Sequence, residues 1–119
     1  MSNTKFFTFI QNNSGGSFNI SIEDGICEYV IIEALDHNHA NARALLAGLY
    51  FDGCEAGIDC SCCGDRWYKA SASDAEKEPM IYNTPINNVD KSWSRERCFI
   101  HYLNGEIKEV VFKEEKTDA

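Results

Sequence analysis

Four cysteines crowd one short stretch of this chain: Cys54, Cys60, Cys62 and Cys63. Within it, Cys60-Ser61-Cys62-Cys63-Gly64 contains a Cys-x-x-Cys-Gly knuckle. Two thiolates at that spacing converge on one ion, and the glycine lets backbone N–H groups turn toward the sulfurs. Tetrahedral zinc needs more ligands than one knuckle supplies. Cys54 is a further candidate beside Cys60 and Cys63, with His37, His39 or His101 to complete the set. Cys62, adjacent to Cys63, is poorly placed to share the ion. A structural zinc on Cys54, Cys60 and Cys63 is one reading, and a set of buried small hydrophobes is the other.

Two further segments carry recognition chemistry. Asn12-Asn13-Ser14-Gly15-Gly16-Ser17 combines short hydrogen-bonding side chains with glycines. Such a loop exposes successive backbone amides that cradle a phosphate or meet a ribose, and it also serves as a plain hairpin loop. Asp65-Arg66-Trp67-Tyr68 follows the knuckle directly. An arginine beside aromatics pairs with phosphate and stacks on a base, whereas the bland alternative is a surface Arg–Asp pair beside a core Trp. Arg43, in a helical stretch, is an additional phosphate candidate. No nucleophile motif, P-loop or dinucleotide fingerprint is present, and no spaced carboxylate pair stands out. Catalysis has no support in the sequence.

These segments need elements to hold them. Lys5 to Ile10 reads as a strand, and Phe18 to Ile22 as its hairpin partner across the glycine loop. Tyr29-Val30-Ile31-Ile32 is a continuous apolar run, suited to a central strand covered on both faces. Asp36 is placed to cap a helix over His37 to Ala47, with Ala42, Leu45, Leu46 and Leu49 as its buried stripe and Gly48 at its C-terminus. Tyr50-Phe51, Arg66-Trp67-Tyr68 and Ile81-Tyr82 read as short strands or strand starts. Asn104-Gly105 between two β-type runs, Cys98–Leu103 and Ile107–Phe112, is a strong hairpin signal. The expected architecture is α+β: a small, mostly antiparallel sheet, one principal helix packed on it and a Cys-rich turn. Residues 1–112 form one domain in this reading, and 113–119 a charged flexible tail.

Composition bounds the function. The chain has 119 residues, 44% apolar and 25% charged, with a net charge of −8. That charge opposes broad contact with nucleic acid. No stretch approaches the roughly 20 apolar residues of a membrane span, and the N-terminus lacks a signal-peptide pattern. An intracellular, reducing compartment is expected, which favours thiols or metal ligands over disulfides.

Three phrases stand out together: Phe9-x-Gln11-Asn12-Asn13-Ser14-Gly15-Gly16-Ser17-Phe18, Gly48-Leu49-Tyr50-Phe51-Asp52-Gly53, and Asp59-Cys60-x-Cys62-Cys63-Gly64-Asp65-Arg66-Trp67. They resemble a family of short tailed-bacteriophage proteins, over about the first 70 residues. The resemblance implies a phage protein made in the bacterial host cytoplasm, and brings no established activity. Small accessory phage proteins commonly antagonise host defence, and one class sequesters nucleotide-derived immune signals without catalysis. The leading expectation is therefore an anti-defence protein that captures an ADP-ribose-type or cyclic nucleotide. Asn12, Asn13, Ser14, Gly15 and Gly16 would hold phosphate or ribose, Arg66 and Arg43 would neutralise phosphate, and Trp67 or Tyr68 would stack on the base. In that scheme Arg66→Ala removes binding and leaves the fold intact. A homodimer is expected because such binders often place pockets between subunits. The rivals are an acidic inhibitor of a host enzyme or transcription component, and a metal-dependent hydrolase using the Cys/His set.

Overall fold

The structure is a computed structural model of the whole chain, and it describes residues 4–12, 18–59, 64–82, 84–89 and 97–112. It is an α+β fold in which one helix packs on a mostly antiparallel four-stranded sheet. The strands are β1 (Lys5–Ile10), β2 (Tyr29–Ala34), β5 (Arg97–His101) and β6 (Ile107–Val111), in the order β1-β2-β5-β6. A second, two-stranded piece pairs β3 (Met80–Ile81) with β4 (Thr84–Pro85). The charged tail expected at 113–119, most of the glycine loop (13–17) and the knuckle cysteines (60–63) lie outside the described residues.

The apolar run of β2 explains the centre of the sheet. Tyr29, Val30, Ile31 and Ile32 are all buried, because side chains alternate between faces and both faces are covered. Val30, Ile32 and Ala34 join Phe7 and Phe9 of β1, the helix α1 (His37–Ala47) and Trp67 in one core cluster. Tyr29 and Ile31 join Ile81, Val89, Cys98, Ile100 and Phe112 in a second cluster on the opposite face.

β1 does not pair with 18–22. It runs antiparallel to β2, from Lys5 opposite Ala34 to Ile10 opposite Tyr29. The long apolar ladder of β2 is the better partner, since it buries both of its faces, whereas Ile20 and Ile22 remain exposed. Ser21 and Ile26 instead exchange two backbone hydrogen bonds of 2.9 Å around a tight turn, closed by Gly25 at φ 70°. Among the described residues, the one parallel ladder joins β2 to β5, with Val30 opposite Phe99. The Asn104-Gly105 hairpin joins β5 to β6 as expected, with Gly105 at φ 97°.

Both ends of α1 follow the sequence: Asp36 accepts the His39 amide at 2.8 Å, and Gly48 takes the left-handed terminal position. The buried stripe does not. Ala40 and Ala44 face the sheet, Leu49 is buried just past the helix end, and Leu46 is 88% exposed, with Leu45 and Ala42 also outward. Small alanines let the helix lie close on β2, and that phase turns the leucines away. Tyr50-Phe51 and Arg66–Tyr68 form no strand; the Arg66 amide donates to the Asp59 side chain and its carbonyl accepts the Asn12 amide. Among the described residues, no helix is long and apolar enough to cross a membrane.

Candidate functional site

Arg66 is only 8% exposed. Its backbone amide donates to Asp59 Oδ2 at 2.7 Å, and its Nε lies 3.7 Å from Asp59 Oδ1. The same Nε donates to the Tyr50 hydroxyl at 3.1 Å, which in turn donates to Asp59 Oδ1 at 2.6 Å. Burial first, and then the hydrogen bond to Asp59, raise the Tyr50 hydroxyl above its ordinary pKa. Nη1 of Arg66 donates to Gln11 Oε1 at 3.0 Å. Charge, carboxylate, phenol and amide thus satisfy one another in a buried knot, as buried polar groups must.

Gln11 extends this knot into the neighbouring segment. Its Nε2 donates to the carbonyls of Asn19 and Cys27, each at 3.1 Å, and its Oε1 accepts the Asn19 amide at 2.6 Å. Asn12 is tied alongside. Its amide donates to the Arg66 carbonyl at 2.9 Å and its Nδ2 to the Asp65 carbonyl at 3.1 Å. Asn12, just past the end of β1, is thus joined to the Asp65-Arg66 segment, while Asn13, Ser14, Gly15 and Gly16 lie outside the described residues.

The three motif phrases converge here. Gln11 comes from the first, Tyr50 from the second, Asp59 and Arg66 from the third. Gly53, also in the second phrase, is required by close approach: an added Cβ would stand 2.5 Å from Asp59 Cγ and 2.8 Å from Tyr50 Cε2. The Gly53 carbonyl also accepts the amides of Ile58 and Asp59, which curls the loop so that the carboxylate points inward.

Beside the knot lies a cleft of about 520 Å³, lined by Phe18, Asn19, Ile20, Ser21, Asp24, Ile26, Gly48, Tyr50 and Trp67. Phe18 and Tyr50 are half-buried rings on its wall. Trp67, 1% exposed, is a core ring at its floor, so its face is not offered to a base as the sequence suggested. Tyr68 is exposed on the outside, its hydroxyl beside Gly64.

Arg43 belongs elsewhere. It donates to the carbonyls of Glu33, His101 and Tyr102, and so clamps α1 to the C-terminal ends of β2 and β5. The Arg66 knot adjoins the opposite end of β2, because Ile10 pairs with Tyr29 and Gln11 follows. The two arginines therefore do not share a site. Another cleft, about 510 Å³, is lined by Glu33, Tyr102, Leu103, Asn104 and Glu106, and its two carboxylates disfavour a phosphate.

Of the cysteine candidates for a metal, Cys54 lies among the described residues, as do His37, His39 and His101. The Cys54 backbone amide donates to Asp65 Oδ1 at 2.9 Å. His101 is buried with Nε2 at 2.8 Å from the Gly25 carbonyl, and His39 Nδ1 accepts the Leu35 amide at 3.0 Å. Among the described residues, no group of three or more His, Cys, Asp or Glu side chains is arranged to hold a metal. Cys60 and Cys63, like Asn13, Ser14, Gly15 and Gly16, fall outside those residues.

A family model for a domain of unknown function, DUF7296, matches residues 4–118. The chain belongs to the DUF7296 family. The match covers every element of the sheet, the helix and the Arg66 knot, so the DUF7296 domain is the whole fold described above. No curated protein and no solved structure matches the chain.

Sequence reasoning missed Gln11, Tyr50 and Asp59 as site residues. Each stood inside a quoted phrase, so the signal was present. What was lacking was the contact that gives each a role.

Proposed function

We propose that this chain is a non-catalytic binding protein that captures a small nucleotide-derived ligand in the cleft beside Arg66. The observation that carries the reading is the cleft wall. It joins two half-buried aromatic rings, Phe18 and Tyr50, to the polar groups of Asn19, Ser21 and Asp24. Rings supply stacking surface for a base. A carboxylate and short polar side chains suit ribose hydroxyls and base edges. The buried knot holds both walls in place: Gln11 fastens the Asn19 side, and Tyr50 the other. Such a preorganised cleft limits the ordering cost of binding. Phosphate recognition falls to the glycine loop at 13–17, which adjoins Phe18 in the chain.

The biological setting rests on the resemblance to tailed-bacteriophage proteins. In that setting the ligand is an ADP-ribose-type or cyclic nucleotide immune signal, and the protein acts in the host cytoplasm by sequestering it. Native mass spectrometry with a panel of such nucleotides tests this. The expected result is a stoichiometric adduct, released unchanged on denaturation. Asn19 is exposed, and only its backbone enters the knot, so Asn19→Trp fills the cleft without touching the core. The adduct should then disappear. No adduct across the panel, or an adduct indifferent to Asn19→Trp, would defeat the proposal, and a cleaved nucleotide would replace it with an enzyme.

The second reading is an acidic inhibitor of a host protein. It is favoured by Leu35, Leu45 and Leu46, which are exposed on and before α1 in a chain of net charge −8. Salt-sensitive capture of a basic partner, lost in Leu46→Glu, would support it over the first.

A further inference from the structure

The two edges of the four-stranded sheet are treated differently. On the β1 edge, Phe6 and Glu76 exchange backbone hydrogen bonds of 2.8 and 2.9 Å, and the Thr8 hydroxyl donates to the Met80 carbonyl at 2.6 Å. That edge is closed by the chain itself. The β6 edge has no such cover: among the described residues, the backbone of β6 pairs with β5 alone.

The register shows what β6 presents. The Tyr102 amide donates to the Glu106 carbonyl at 2.8 Å at the hairpin end, and antiparallel hydrogen-bonded pairs alternate from there. Ile107, Glu109 and Val111 therefore turn their N–H and C=O groups outward. Their side chains share one face of the sheet, where Ile107 is 46% and Val111 56% exposed. Exposed apolar side chains beside unpaired backbone groups make an edge that templates another strand.

We infer that β6 pairs antiparallel with β6 of a second copy of this chain, about a two-fold axis through Glu109. In this register the outward groups of Ile107 meet those of Val111 of the second copy, and the reverse, so the edge is self-complementary. Each apolar side chain then faces an apolar side chain. The register places Glu109 opposite its own copy, which would be repulsive for bare carboxylates. Here each Glu109 is already neutralised by Arg97 of its own chain, 2.8 Å away. Shifting the axis to Lys108 would set the two lysines opposite each other and Ile107 against Glu109, so the charges select the first register. A second copy is thus the occupant that the edge fits.

Analytical ultracentrifugation over a wide concentration series tests this, with residue-resolved amide exchange beside it. A monomer–dimer equilibrium is expected, and the amides of Ile107, Glu109 and Val111 should slow as concentration rises. The Ile107→Lys/Val111→Lys variant sets lysines of the two copies opposite each other at exposed positions, and should weaken association about tenfold or more with unchanged far-UV circular dichroism. Arg97→Ala should also weaken it by uncovering the Glu109 repulsion, and adding Glu109→Gln should restore it. A monomer at every concentration, a dimer that survives the double lysine variant, or edge amides indifferent to concentration would each overturn the inference.

Discussion

Arg66 and Gln11 are separated by 55 residues, yet the Arg66 guanidinium donates to the Gln11 side-chain carbonyl at 3.0 Å inside the protein. This contact joins the loop after β1 to the loop before Trp67, and Asp59 supplies the compensating charge. It follows that Arg66→Ala cannot separate binding from folding, as a surface arginine would allow. Arg66→Met should leave Asp59 buried without its cation and cost about 3–5 kcal/mol. The double variant Arg66→Met/Asp59→Asn should cost less than the sum of the two single ones. Urea unfolding of the four proteins measures the coupling, and additive losses would show that the pair is independent.

Gly53 holds no left-handed conformation, so its role is one of space. A methyl there would collide with the Asp59 carboxylate and the Tyr50 ring. Gly53→Ala should destabilise by about 1–3 kcal/mol, as overpacking does. It should also release the raised Tyr50 hydroxyl toward its ordinary pKa, which ultraviolet titration reads directly.

His101 sets a pH dependence. Its Nε2 lies 2.8 Å from the Gly25 carbonyl, an acceptor, so Nε2 carries the proton. Burial, together with the nearby Arg43, holds its pKa below the ordinary 6.5, although the Gly25 carbonyl opposes the shift. The folded state therefore binds fewer protons than the unfolded state in that window. Its contribution to stability is complete above about pH 6.5 and is lost as the pH falls through the lowered value. His101→Gln should flatten the stability profile between neutral pH and mild acid, as measured by thermal unfolding at a series of pH values. An unchanged slope would assign the pH dependence to other groups.

Cys27 and Cys98 are both buried. Burial pushes the Cys27 thiol up to about 11, and burial with the neighbouring Cys27 pushes Cys98 up to about 12. The thiolate is the reactive form, so both should resist alkylation at mildly alkaline pH in the native protein. Peptide mass mapping after iodoacetamide should find them unmodified until urea unfolds the chain. Rapid native labelling of either would show that the β2–β5 face opens easily.

Much of the architecture was legible because its signals are local. Asp36 caps α1 through an amide three residues away, Gly48 ends it, and Asn104-Gly105 turns β5 into β6. The run at 29–32 announced a strand buried on both faces. Each of these depends on conformations or burial that a short segment specifies by itself. The partner of β1, the phase of α1 and the seating of Arg66 do not. Phe18–Ile22 has strand character, but β2 offers β1 a longer apolar ladder. The leucines of α1 are larger than its alanines, but the alanines allow closer contact with the sheet. Arg66 beside Trp67 looked like a surface cation, until Asp59, Tyr50 and Gln11 closed around it from three other places in the chain. Sequence alone settled where elements begin and turn, because capping and turn energies act within a few residues. Only the tertiary structure decided which elements meet, because that choice depends on burial and charge compensation summed over residues far apart in the chain.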